Sequence, residues 1–135
     1  MPLWLEGMAT YASGQLNPGN SDGVLLLDDK LDSVCVKNYK HYAAIFQKNS
    51  SVRLSDQKFG RIHGIWFAGK RKKNIKTDIP IRAGYCLGLQ AVKHLAGTNT
   101  LADMAGWPLQ KAHEQVVNTL RKISNPPTFA ILDEK

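Results

Sequence analysis

A chain of 135 residues, 43% hydrophobic and 21% charged, is long enough to bury a core and too apolar for an intrinsically disordered segment. It shows no apolar run long enough to cross a bilayer and no basic start with a long apolar core of the secretory kind, so a cytoplasmic protein with no membrane partner is expected. The net charge of +7 is unevenly placed: residues 1–36 hold one lysine against five acids, 37–76 hold eleven Lys/Arg against Asp56 alone, and 77–135 hold six against five.

In chain order, Leu3, Trp4, Met8, Tyr11, Ala12 and Leu16 recur at mostly helical spacing and predict an N-terminal amphipathic helix, ended by Asn17-Pro-Gly. Val24–Leu27 and Ser33–Val36 are short apolar runs that read as strands, and Tyr39–Gln47 suits helix or strand. Arg61–Ala68, rich in β-branched and aromatic residues, reads as a further strand, with Gly69–Asn74 as an exposed turn. Residues 1–78 are therefore expected to form a basic α/β region with a small antiparallel sheet, serving dimerisation or sensing.

From Pro80 the pattern turns helical. Ile81, Tyr85, Leu89, Val92 and Leu95 or Ala96 keep a three-or-four spacing, Pro80 suits a first turn and Gly97 suits the position past the end. Thr100 and Asp103 are spaced as a capping box for a short helix Leu101–Ala105, which Gly106 would stop in a left-handed conformation. A third helix from Pro108 to Ile123 carries Leu109, Ala112, Val116, Leu120 and Ile123 on one side and polar residues on the other. Pro126-Pro127 follows, and Thr128–Leu132 reads as a C-terminal strand. The fold class expected is thus α+β: an N-terminal helix and small sheet, then a three-helix unit over residues 79–135.

Within that unit, Leu101–Leu120 resembles the helix-turn-helix and winged-helix DNA-binding regulators. Ala102 supplies the small residue of the second helix, Gly106 the glycine four positions on, and Trp107 the apolar residue after it; two helices crossing steeply need such small groups at the contact. Gln115 departs from the pattern by standing where an aliphatic residue is usual, and Trp107 is bulky for the turn. The resemblance implies that the third helix enters the major groove. Gln110, Lys111, His113, Glu114, Asn118 and Arg121 would then face the bases, and by the same analogy the last strand would belong to a wing.

Phosphate contacts would come from Lys122 and from the middle segment, where Lys70, Arg71, Lys72, Lys73 and Lys76 concentrate positive charge that favours a polyanion. A short reading helix rarely supplies enough contact alone, so a homodimer on double-stranded DNA, associated with the nucleoid, is expected. Two other readings stay open. One is an RNA or single-stranded DNA binder that uses the cations and rings of residues 37–76; the other is an interaction or inhibitor protein with an acidic protein partner.

Catalysis is not expected. Asp28, Asp29 and Asp32 after an apolar run resemble carboxylates delivered to magnesium, yet no phosphate loop accompanies them. The histidines and cysteines show no ligand spacing, so neither metal nor cofactor is expected. Cys35 and Cys86 sit in apolar contexts that suit packed thiols; a disulfide between them is possible but not indicated by the sequence.

Overall fold

The computed structural model describes residues 2–19, 29–49, 59–68, 70 and 77–124. Among these residues the protein is helical throughout, with no strand. The helices are α1 (Pro2–Leu16), α2 (Asp29–Asn49), α3 (Phe59–Phe67), α4 (Ala83–Ala96), α5 (Leu101–Ala105) and α6 (Leu109–Ser124).

The expected α+β fold is therefore corrected, and the reason lies in two apolar runs. Ser33–Val36 is not a strand but part of α2, where Leu31, Cys35, Tyr39, Tyr42 and Phe46 form one stripe at steps of three and four residues. That stripe turns inward, whereas Val34 and Val36 are exposed. Arg61–Ala68 is likewise not a strand, since α3 covers Phe59–Phe67. Its β-branched and aromatic content misled, because a short apolar run cannot be assigned by composition; Ile62, Ile65 and Trp66 instead share one helical face directed at the core. The expected strands Val24–Leu27 and Thr128–Leu132 lie outside the described residues, as does the turn beyond Lys70.

Helix α4 is the centre of the molecule, and α1, α2, α3 and α6 all pack on it. It is buried nearly all round, from Ala83 and Gly84 through Leu87 and Gly88 to Val92 and Leu95, as a helix inside a core must be. Two glycines make this crowding feasible. A Cβ at Gly88 would lie 2.6 Å from the carbonyl oxygen of Leu3 and 3.0 Å from the Cα of Gly7, so the backbones of α1 and α4 touch. One turn earlier, a Cβ at Gly84 would lie 2.8 Å from the carbonyl oxygen of Trp66 in α3.

The start of α4 also differs from expectation. Pro80 does not open the helix, because Arg82 adopts φ 65°, ψ 18° and the helical run begins at Ala83. Ile81, expected in the core, is 42% exposed as a result, and the Arg82 guanidinium carbon lies 4.8 Å from the centre of the Tyr85 ring.

One apolar cluster draws on every helix: Leu3 and Trp4 (α1), Tyr42 and Ala43 (α2), Trp66 (α3), Leu87 and Val92 (α4), Met104 (α5), and Val116 and Leu120 (α6). A smaller one contains Leu31, Cys35, Cys86 and Leu89. There Cys35 and Cys86 are joined in a disulfide, Cα atoms 6.3 Å apart, the alternative that the sequence leaves possible without indicating it, and the bond ties α2 to α4.

Candidate nucleic-acid interface

The unit α4–α5–α6 is built largely as its sequence suggests. Thr100 caps α5, its side chain accepting a hydrogen bond from the backbone N–H of Asp103 at 3.1 Å, the arrangement that satisfies one of the free N–H groups at a helix start. The Gly106 N–H ends α5 by donating to the carbonyls of Ala102 and Asp103 at 3.2 and 3.1 Å, and the Trp107 N–H donates to that of Met104 at 3.2 Å; at φ −86° Gly106 is not left-handed as expected. A Cβ at Gly106 would meet only ordinary contacts, 3.6 Å from the carbonyl oxygen of Asp103.

Helix α6 divides into two faces. Ala112, Val116, Leu120 and Ile123 are buried, together with Thr119, whose hydroxyl donates to the carbonyl of Gln115 at 2.7 Å. Gln47 of α2 holds the far end of the helix by donating from Nε2 to the carbonyl of Leu120 at 3.1 Å and to the Ser124 hydroxyl at 2.6 Å. The outward face carries Gln110, Lys111, His113, Glu114, Asn118, Arg121 and Lys122, all exposed. Leu109, expected in the core, is 59% exposed and stands at the start of this face; it precedes the first buried position by most of a turn.

Some of these side chains are already oriented. Lys111 places its Nζ 5.1 Å from the centre of the Trp107 ring, a cation–π contact that anchors the cation over the turn. Trp107 itself stacks on Trp4, which explains how the turn tolerates so bulky a residue. Arg121 donates from Nη1 to Oδ1 of Asn118 at 3.4 Å.

Between the end of α4 and the second half of α6 runs a groove of about 460 Å³. Its walls include His94, Thr98 and Asn99 from the α4 side and Gln115, Asn118, Arg121 and Lys122 from α6, with no carboxylate. Asn118, Arg121 and Lys122 were singled out from sequence; His94, Thr98, Asn99 and Gln115 were not. Thr98 and Asn99 are visible in the sequence only as helix-cap candidates, and Gln115 only as a departure from the motif.

The basic middle segment is seen in part. Lys70 is exposed, whereas Arg71, Lys72, Lys73 and Lys76 lie outside the described residues. Of the rings in the same segment whose side chains are described, Tyr42 and Trp66 are buried, and Phe46 and Phe67 pack against the core. No group of three or more His, Cys, Asp or Glu side chains is arranged to hold a metal among the described residues. There Asp29 belongs to α2 rather than to a strand-borne site, while Asp28 falls outside. No helix among the described residues is long and apolar enough to cross a membrane.

No family model, curated protein or solved structure matches this chain.

Proposed function

We propose that the protein is a sequence-specific DNA-binding regulator that lays α6 in the major groove. The observation that carries this reading is the complete exposure of one polar face of α6 while its other face is locked against α4 and α2. Gln110 and Asn118 have the amide groups that pair bidentately with adenine, Arg121 and Lys111 reach guanine or phosphate, and His113 and Glu114 flank them. Leu109, exposed at the start of the helix, suits apolar contact with a thymine methyl.

The 3.4 Å bond between Arg121 and Asn118 is long and exposed, so it opens at little cost when Asn118 turns to a base. Lys122 and Lys70 would take phosphates, joined by Arg71, Lys72, Lys73 and Lys76. Because α6 alone offers few contacts, the active form in this reading is a homodimer on two half-sites. The burial of Tyr42 and Trp66 argues against single-strand stacking by the middle segment.

In this reading the protein works at the nucleoid, in the cytoplasm. The buried disulfide pulls the other way, since such bonds persist mainly in oxidising compartments.

The test begins by selecting a preferred duplex from a random library. Its affinity is then compared with those of unrelated duplex, single-stranded DNA and RNA across a salt series. Replacing Gln110→Ala and Asn118→Ala together should cost about 1–3 kcal/mol of discrimination per lost bidentate pair and leave the salt slope unchanged. Absence of duplex binding at any salt ends the proposal.

A further inference from the structure

The groove between α4 and α6 has a chemistry of its own. Its volume of about 460 Å³ lies within the range of small-ligand sites, roughly 300–1,000 Å³, yet such sites are mostly apolar and this one has Leu95 as its single aliphatic wall. The remaining walls are hydrogen-bonding or cationic. Among the described residues none of His94, Arg121 and Lys122 is paired with a carboxylate, and the side-chain amide of Gln115 is left without a partner.

Two helices contribute basic residues here for a local reason: Lys93 and His94 occupy the last turn of α4, and Arg121 and Lys122 the last turn of α6, where cations offset the negative end of the helix dipole. The packing of α4 against α6 brings part of both sets to one groove. The carbonyls that would repel an anion are closed off. Leu95 O accepts from the N–H groups of Thr98 and Asn99 at 3.2 and 3.1 Å and from Asn99 Nδ2 at 2.9 Å, while His94 O accepts from the N–H of Gly97 at 3.3 Å. With those carbonyls engaged, the groove presents cations together with hydroxyl and amide groups that can donate.

We infer that this groove is a phosphate-binding site, in which Arg121 and Lys122 supply charge and Thr98 and Gln115 supply hydrogen bonds to a phosphate oxygen. A guanidinium matches two phosphate oxygens at once, and Arg121 is the group placed to do so. The site takes either a phosphodiester of a nucleic-acid backbone or a free phosphorylated small molecule, and it does not require α6 to read bases.

The full chain is titrated at low salt with two probes, inorganic pyrophosphate and a short DNA duplex, by calorimetry and by amide chemical shifts. Binding of either probe should weaken at least about tenfold in Arg121→Gln/Lys122→Gln, which removes two cations from the contact. It should weaken about fivefold in Gln115→Leu, which changes no charge. The charge-matched control Lys37→Gln/Lys40→Gln removes two exposed cations of α2 that do not line the groove and should stay within about twofold of wild type.

Pyrophosphate binding alone assigns the groove to a small ligand, and duplex binding competed by pyrophosphate assigns it to the nucleic-acid backbone. The inference is overturned if neither probe binds the wild type, or if the α2 control loses as much as the groove variant. Pyrophosphate binding without duplex binding would end the DNA-binding proposal and leave the groove standing.

Discussion

Trp4 of α1 and Trp107 of the α5–α6 turn stack face to face, ring centroids 5.5 Å apart and planes within 13° of parallel. Through this pair the N-terminal helix sets the position of the turn that launches α6. Trp4 is 6% exposed, so Trp4→Ala should lower the unfolding free energy by about 3–5 kcal/mol, as for other buried aromatic truncations. In a double-mutant cycle with Trp107→Ala, followed by urea denaturation, the two rings should couple by about 0.5–1.5 kcal/mol. A coupling of zero would mean that α1 and the turn are held together by other contacts.

Two glycines in helices should respond to alanine with opposite signs. At Gly88 the added carbon meets backbone atoms of Leu3 and Gly7, which cannot rotate aside, so Gly88→Ala should destabilise by about 1–3 kcal/mol through overpacking. At Gly64 in α3 the added carbon meets nothing within 4 Å, and Gly64→Ala should stabilise by up to about 1 kcal/mol through helix propensity. Thermal unfolding of both variants checks the pair. Equal shifts would contradict the close α1–α4 crossing.

These glycines also show where the sequence was and was not legible. The last unit could be read because its signals are local: Thr100 and Asp103 mark the start of α5, and the Ala112–Val116–Leu120 spacing marks the inner face of α6. The role of Gly84 and Gly88 is set by what crosses them, and nothing within α4 announces that α1 and α3 do so. Likewise Ser33–Val36 and Arg61–Ala68 pass for strands while their composition is weighed by itself; the helical stripe of Leu31, Cys35, Tyr39 and Tyr42 becomes visible only over a longer window. At the candidate interface the exposed face of α6 was legible from periodicity. The groove was not, because His94 and Gln115 are brought together by packing across 20 intervening residues.

Tyr42 gives the fold an alkaline limit. Its burial, and secondarily the negative charge of Asp78, raises the phenol pKa above the usual tyrosine value. In the unfolded chain the same phenol ionises near pH 10. The unfolded state therefore loses the proton first, so this contribution to stability is complete below about pH 10 and is lost as pH rises toward the higher folded value. Urea midpoints measured from about pH 9 upward should fall less steeply in Tyr42→Phe than in the wild type. Asp78→Asn should recover a smaller part of that difference, since the charge is the lesser cause. Identical alkaline slopes in wild type and Tyr42→Phe would remove Tyr42 from the account.

The Cys35–Cys86 bond bears on stability and on where the protein works. Both cysteines are fully buried beside Leu31 and Leu89, and they are 51 residues apart in sequence. Closing a loop of that length is worth about 4 kcal/mol in the chain-entropy model, and measured values commonly run about 2–4 kcal/mol. Protein unfolded in denaturant without reductant should take up no alkylating reagent and should take up two equivalents once reduced, as read by intact mass. Cys35→Ala/Cys86→Ala should lower the unfolding free energy by about 2–4 kcal/mol. If the unreduced chain already alkylates at both positions, the cysteines are packed thiols. The variant would then lose only side-chain contacts, and the objection to a nucleoid protein in a reducing cytoplasm would disappear.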